Sequence, residues 1–175
     1  VARTGLKAIP LSAVASRLHR ERAGNRDVYA PLTSLSISVA DPLSEPHQRF
    51  RLRGRIGARD EEMGLSPTAL SHICAMTGVP LAFVERAPAS LAAKSLRCFA
   101  EMAAPDVAKS SLLRLKDRGS LKPRLRAVLP QSYARLDDEA VLAEVESAAG
   151  GADGKATLVS IEDDVFTVRL VFDEE

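Results

Sequence analysis

The sequence predicts an α+β fold, a mainly antiparallel sheet with helices packed on one face. Three observations point there. Apolar residues alternate with polar ones at period 2 in runs near positions 35, 50, 114, 126, 158 and 168, the mark of half-buried strands. Apolar residues recur at helical spacing near positions 16, 71, 95 and 143. A length of 175 residues with 46% apolar and 27% charged residues suits one ordinary globular domain over residues 1–175.

Leu11, Val14, Ala15 and Leu18 fall on one side of a helix predicted over residues 11–22, with Arg17, Arg20 and Arg22 outside and Gly24-Asn25 as its stop. Leu35, Ile37 and Val39 alternate with Ser34, Ser36 and Ser38 in a strand that Asp41-Pro42 ends. Residues 41–48, with Pro42 and Pro46, read as a loop. The run R-F-R-L-R-G-R that follows places Arg49, Arg51, Arg53 and Arg55 on one strand face and Phe50 and Leu52 on the other. Residues 57–62 read as a polar turn.

Ser66-Pro67 pairs an N-cap serine with a proline at the first helical position, and opens a helix that buries Leu70, Ile73 and Cys74 and stops at Gly78 and Pro80. A short helix over Leu81–Arg86 follows. Pro88 then opens another to Met102, with Leu91, Ser95, Leu96, Phe99 and Met102 expected on one side. Residues 111–129 read as a hairpin around Gly119-Ser120. One face carries Arg114, Lys116, Arg118, Arg124 and Arg126, and the other Leu113, Leu115, Leu125, Ala127 and Leu129. Asp137 or Asp138 caps a helix to Ala148 with Val141, Leu142 and Val145 inside, and strands 157–161 and 165–172 close the chain around Asp163-Asp164.

Charge is divided along the chain. Residues 1–60 hold 11 Lys and Arg against 5 Asp and Glu, residues 61–135 hold 11 against 6, and residues 136–175 hold 2 against 12. The net charge of +1 therefore hides a basic body and an acidic C-terminal block, which suggests a surface for an acidic partner. No run approaches the roughly 18 apolar residues of a membrane span, and the N-terminal residues lack a signal-peptide succession. A cytoplasmic protein with no membrane partner is the expectation.

Catalytic, metal and cofactor chemistry find little support. Two cysteines and three scattered histidines form no ligand cluster. His72 and Cys74, two apart on a helix, point in different directions. The carboxylates at 137–139 and 162–164 are those a helix start and a hairpin turn ask for. Gly54-Arg55-Ile56-Gly57 lacks the lysine of a phosphate loop. No enzyme activity, no cofactor and no metal are expected.

The segments L-S-P-T-A-L-S-H-I-C-A-M-T-G-V-P, L-L-R-L and R-A-V-L-P-Q-S-Y-A-R-L-D-D-E-A-V-L, within residues 65–171, resemble the domain-of-unknown-function 932 family of phage, prophage and plasmid proteins. The last is the most specific and takes in Arg126, Ala127, Tyr133 and Asp137. Pro130 and Gln131 stand near where that family tends to have serine. Its second-half Asn-Ser-Glu and Cys-Thr-Asn-Gly segments have no counterpart here, so an N-terminal part or reduced form of the longer chain is expected. The resemblance implies a mobile-element protein and no particular chemistry.

The arginine strands carry the functional expectation. Arg and Lys rows on a sheet face can track a phosphate backbone. Arg49, Arg51, Arg53, Arg55, Arg114, Lys116, Arg118, Arg124 and Arg126 are the candidate contacts with DNA or RNA, in recombination or annealing by analogy with other phage proteins. Aromatic residues are only 4% of the chain, and Tyr133 is the one candidate for stacking on a base, a turn-pinning hydroxyl being its ordinary alternative. For Arg126 the alternative is a structural pair with Asp137. The competing reading is a regulatory module that binds an acidic host or phage protein through the same face, and an oligomer is compatible with either.

Overall fold

A computed structural model of the chain describes residues 9–10, 13, 16, 19–20, 24–102, 110–118, 121–133, 138–148, 155–161 and 166–171. In chain order its strands are β1 (Ile9–Pro10), β2 (Asn25–Pro31), β3 (Leu35–Val39), β4 (Phe50–Ile56), β5 (Arg59–Leu65), β6 (Ser110–Arg118), β7 (Leu121–Leu129), β8 (Lys155–Ile161) and β9 (Phe166–Val171). The helices are α1 (Pro67–Thr77), α2 (Leu81–Arg86), α3 (Ala89–Met102) and α4 (Asp138–Ala148). The fold is α+β. The chain divides into two compact units, Gly24–Tyr133 and the remainder from both chain ends.

In the unit Gly24–Tyr133 six strands run in the order β2-β6-β7-β5-β4-β3. Every neighbouring pair is antiparallel except β5 with β7. The helices lie on one face, α1 against β7 and α3 against β3 and α1. Between them Phe50, Leu52, Met63, Leu65, Leu113, Leu115, Leu125 and Val128 of the sheet meet Leu70, Ile73, Cys74 and Leu96 of the helices. Burial of that apolar surface drives the assembly, at about 25 cal/mol per Å².

The start of α1 follows from its sequence. Ser66 is buried, its Oγ accepts from Ala69 N at 3.0 Å and donates to the Arg126 carbonyl at 2.8 Å, so one hydroxyl caps the helix and ties it to β7. Gly78 closes α1 in the left-handed region at φ 74°.

Several expectations are corrected. Strands β2 and β5 replace a helix stop and a polar turn, and the β4–β5 turn is only Gly57-Ala58, with Gly57 at φ 62°. The strands near 158 and 168 do not join the large sheet; β8 pairs with β9 on one side and with β1 on the other. On α3 the buried face is Ala89, Ala92, Ala93 and Leu96, while Leu91, Phe99 and Met102 are exposed, because small side chains permit closer approach to β3. A bulge between the pairs Arg114–Ala127 and Leu115–Leu125 resets the alternation on β7, so Val128 enters the core in place of Ala127 and Leu129. On α4 Leu142 is buried and Val141 exposed. Of the helix predicted over residues 11–22, Ala13, Ser16, His19 and Arg20 are helical and exposed. The turns at Gly119-Ser120 and Asp163-Asp164 lie outside the described residues.

Candidate nucleic-acid interface

On β4 the alternation runs as expected: Phe50, Leu52 and Ile56 are buried, and Arg51, Arg53 and Arg55 lie on the face opposite the helices. Arg49 is the exception. The strand begins only at Phe50, and Arg49 ends a 3-10 turn over Pro46–Arg49, where its Nε donates to the Ser44 carbonyl at 2.9 Å and its Nη1 to the Glu85 carbonyl at 3.0 Å. It fastens the 41–49 loop to the end of α2 rather than extending the arginine row.

Register carries the row across the sheet. Residues paired across strands share a face, and the successive pairs Ser38–Arg51, Arg51–Gly64, Gly64–Arg124, Arg124–Lys116 and Lys116–Asn25 cross all six strands. Arg51 and Arg124 therefore stand two strand spacings apart, about 10 Å, with Gly64 between them. Arg126 reaches into the same row, its Nη1 donating to Asn25 Oδ1 at 3.5 Å. Asp137, its expected partner, lies outside the described residues.

The same register brings carboxylates to this face, which the sequence reading missed with strand β5. Arg53 pairs with Glu62 and Arg55 with Asp60. Glu62 also accepts from Lys122 Nζ at 2.6 Å; that hydrogen bond first, then the positive charges of Lys122, Arg51 and Arg53, hold its carboxyl below the ordinary carboxylate range. Arg114 Nε lies 3.3 Å from Asp27 Oδ1 on β2. Arg114, Lys116, Arg124 and Arg126 each make further contacts. Around Arg51, Arg53, Glu62, Arg124 and Lys116 the face is thus a cationic field interleaved with carboxylates, whereas Leu112, in register with Leu129 farther along the same face, is fully buried.

An open cleft of about 430 Å³ lies over the middle of the row. Arg51, Gly64, Lys122 and Arg124 line it from the strands, and His47 and Asp41 from the 41–49 loop. Arg51 is held by Nη1 hydrogen bonds to the carbonyls of Gln48 at 3.3 Å and Phe50 at 3.0 Å. Asp41 accepts from the Ser44 hydroxyl and from Leu43 N, and these bonds, with Arg51 nearby, lower its pKa. Lys122 and Gly64 were not among the residues predicted. The spacing of Lys122, Arg124 and Arg126 extends the basic period-2 pattern by one step, and Gly64 sits in the Met63-Gly64-Leu65 alternation.

The other predicted residues stand apart. Arg118 ends β6 in register with Leu121, and its side chain lies outside the described residues. Tyr133 is partly exposed in the turn after β7, where its N–H donates to the Pro130 carbonyl at 3.0 Å. Cys74 is buried on α1, and desolvation, aided by Glu85, pushes its thiol up to about 11, so it stays protonated at neutral pH. Among the described residues no group of three or more His, Cys, Asp or Glu could hold a metal ion, and no helix is long and apolar enough to cross a membrane. No family model, curated protein or solved structure matches the chain.

Proposed function

We propose that this is a non-enzymatic nucleic-acid-binding protein of a mobile element, acting in recombination or annealing. It would hold the phosphate backbone on the outer face of the six-stranded sheet. The observation that carries the reading is the register row that sets Arg51, Arg124 and Lys116 in line across strands β4, β7 and β6. Such a row follows a strand of phosphates by charge and reads no base edges, so binding is expected without sequence preference. Stacking contributes little: among the described residues the exposed aromatics are Tyr29, Phe83, Phe99 and Tyr133, and Phe83 and Phe99 belong to helices α2 and α3, on the other side of the sheet.

Binding of a labelled single strand, a duplex and an RNA at 0.05 and 0.2 M salt tests this. Three or four phosphate contacts on a single strand predict a log–log salt slope of about −2 to −3, a loss of roughly 20- to 50-fold in affinity between the two salt concentrations. A flat slope with weak binding overturns it. The interleaved Asp60, Glu62 and Asp27 then favour the second reading, a module that recognises an acidic protein through charges of both signs.

A further inference from the structure

We propose that the cleft over Gly64 seats one phosphate group, and that its occupant is a backbone phosphate of the bound strand. This rests on the nucleic-acid reading above and adds to it a place where the strand is registered. A glycine inside a strand weakens it, and it persists there for a bend, a tight contact or the close approach of a ligand.

Gly54 on β4 has a packing reason, since a Cβ there would stand 2.5 Å from Leu35 Cδ2 and 2.9 Å from the Ser34 carbonyl oxygen. Gly64 has no such reason. A Cβ at Gly64 would meet nothing nearer than Arg51 Nη1 at 3.9 Å, and its φ is not in the left-handed region. What the missing side chain does is keep the floor of the cleft open between Arg51 and Arg124.

The walls suit a tetrahedral anion. Arg51, Lys122 and Arg124 bring three positive charges and Asp41 one negative, and the oxygens of Asp41 are turned to its own loop by Ser44 and Leu43. Arg51 spends Nη1 on two backbone carbonyls, which fixes the guanidinium. Its Nε and Nη2, the edge that grips two phosphate oxygens at once, make no hydrogen bond to the described residues. Lys122 has three N–H groups and gives one to Glu62.

The test uses the full chain and changes the shape of the cleft without changing its charge. Gly64→Val places a strand-favouring side chain on the cleft floor. It is expected to weaken single-strand binding about tenfold and to reduce the salt slope by about 0.7. Inorganic phosphate titrated into the wild-type protein is expected to shift the amide resonances of residues 64 and 65, and to leave the amides at the same two positions unmoved in Gly64→Val. Arg51→Gln and Lys122→Gln should each give a comparable loss of binding, which keeps the test open where Gly64→Val unfolds. Wild-type affinity in folded Gly64→Val, while Arg53→Gln and Arg55→Gln weaken binding, overturns the phosphate seat and leaves the polyanion face standing. Phosphate that moves no resonance near Gly64 also overturns it. A wild-type protein that binds no oligonucleotide at low salt overturns the reading beneath it, and the seat with it.

Discussion

At the scale of single residues, the clearest energetic feature of the Gly24–Tyr133 unit is the pair Arg26–Glu61. Arg26 on β2 registers with Leu115 and Glu61 on β5 lies on the side of Met63, so both stand on the core face although β6 and β7 separate their strands. Arg26 Nη1 and Nη2 donate to the two oxygens of Glu61 at 2.7 and 2.5 Å, a bidentate clasp that draws the two strands together. The hydrogen bond from Arg26 lowers the Glu61 pKa from its ordinary 4.5, while Arg26 remains charged. A carboxyl depressed in the folded state adds stability that is fully present above its unfolded value and is lost as pH falls through the folded one. Unfolding free energy should therefore decline on acidification below about pH 4.5, and Glu61→Gln should flatten that limb. At pH 7 the substitution is expected to cost about 1 kcal/mol, Arg26 being about a third exposed and its charge partly screened. Urea titrations between pH 3 and 7 measure both effects, and an unchanged acid limb in the variant would show that other carboxylates govern it.

At the scale of elements, the decisive one is β5, and its role yields a prediction that the basic strands alone would not. Asp60 and Glu62 face Arg55 and Arg53 across the ladder, and Glu62 holds Lys122. Removing these two negative charges in Asp60→Asn with Glu62→Gln releases Lys122 and takes away the carboxylates opposite Arg53 and Arg55, while leaving the strand pattern intact. Single-strand affinity should rise about fivefold and the salt slope should steepen, as measured by anisotropy at two salt concentrations. Lower affinity would mean that the carboxylates position the arginines rather than neutralise them. β5 was hidden in the sequence because Arg59, Asp60, Glu61 and Glu62 are charged in succession and show no alternation before Met63 and Leu65. Its strand character comes from pairing on both sides, a tertiary effect that no local pattern records. β2 was hidden for the same reason, since Asn25-Arg26-Asp27 alternates nothing apolar. By contrast α1 was legible to the residue, because Ser66, Pro67 and Gly78 act through local backbone geometry. The arginine row on β4 was legible as a face, but Gly64, its centre, acts by lacking a side chain between two strands far apart in sequence, and only the register exposes that.

At the scale of the whole molecule, charge is partitioned between the two units. Residues 24–133 hold 16 Lys and Arg against 10 Asp and Glu, a net of +6, and the remaining residues hold 8 against 13, a net of −5. A polyanion approaching at low ionic strength senses both, whereas at about 0.1 M salt the screening length is about 10 Å and only nearby charges count. Acidic residues farther than that from the bound strand act on binding as a field rather than as contacts. Changing Asp163, Asp164, Glu174 and Glu175 to Asn or Gln raises the net charge from +1 to +5 and alters no residue of 24–133. The expected result is single-strand affinity raised several-fold at 0.02 M salt and little changed at 0.2 M, with a faster association rate at the lower salt. An equal gain at both concentrations would contradict a field, because only a carboxylate competing directly for a basic side chain resists screening in that way. No change at either would show that the net charge of −5 outside residues 24–133 does not act on the approaching strand, and that the basic face alone governs capture.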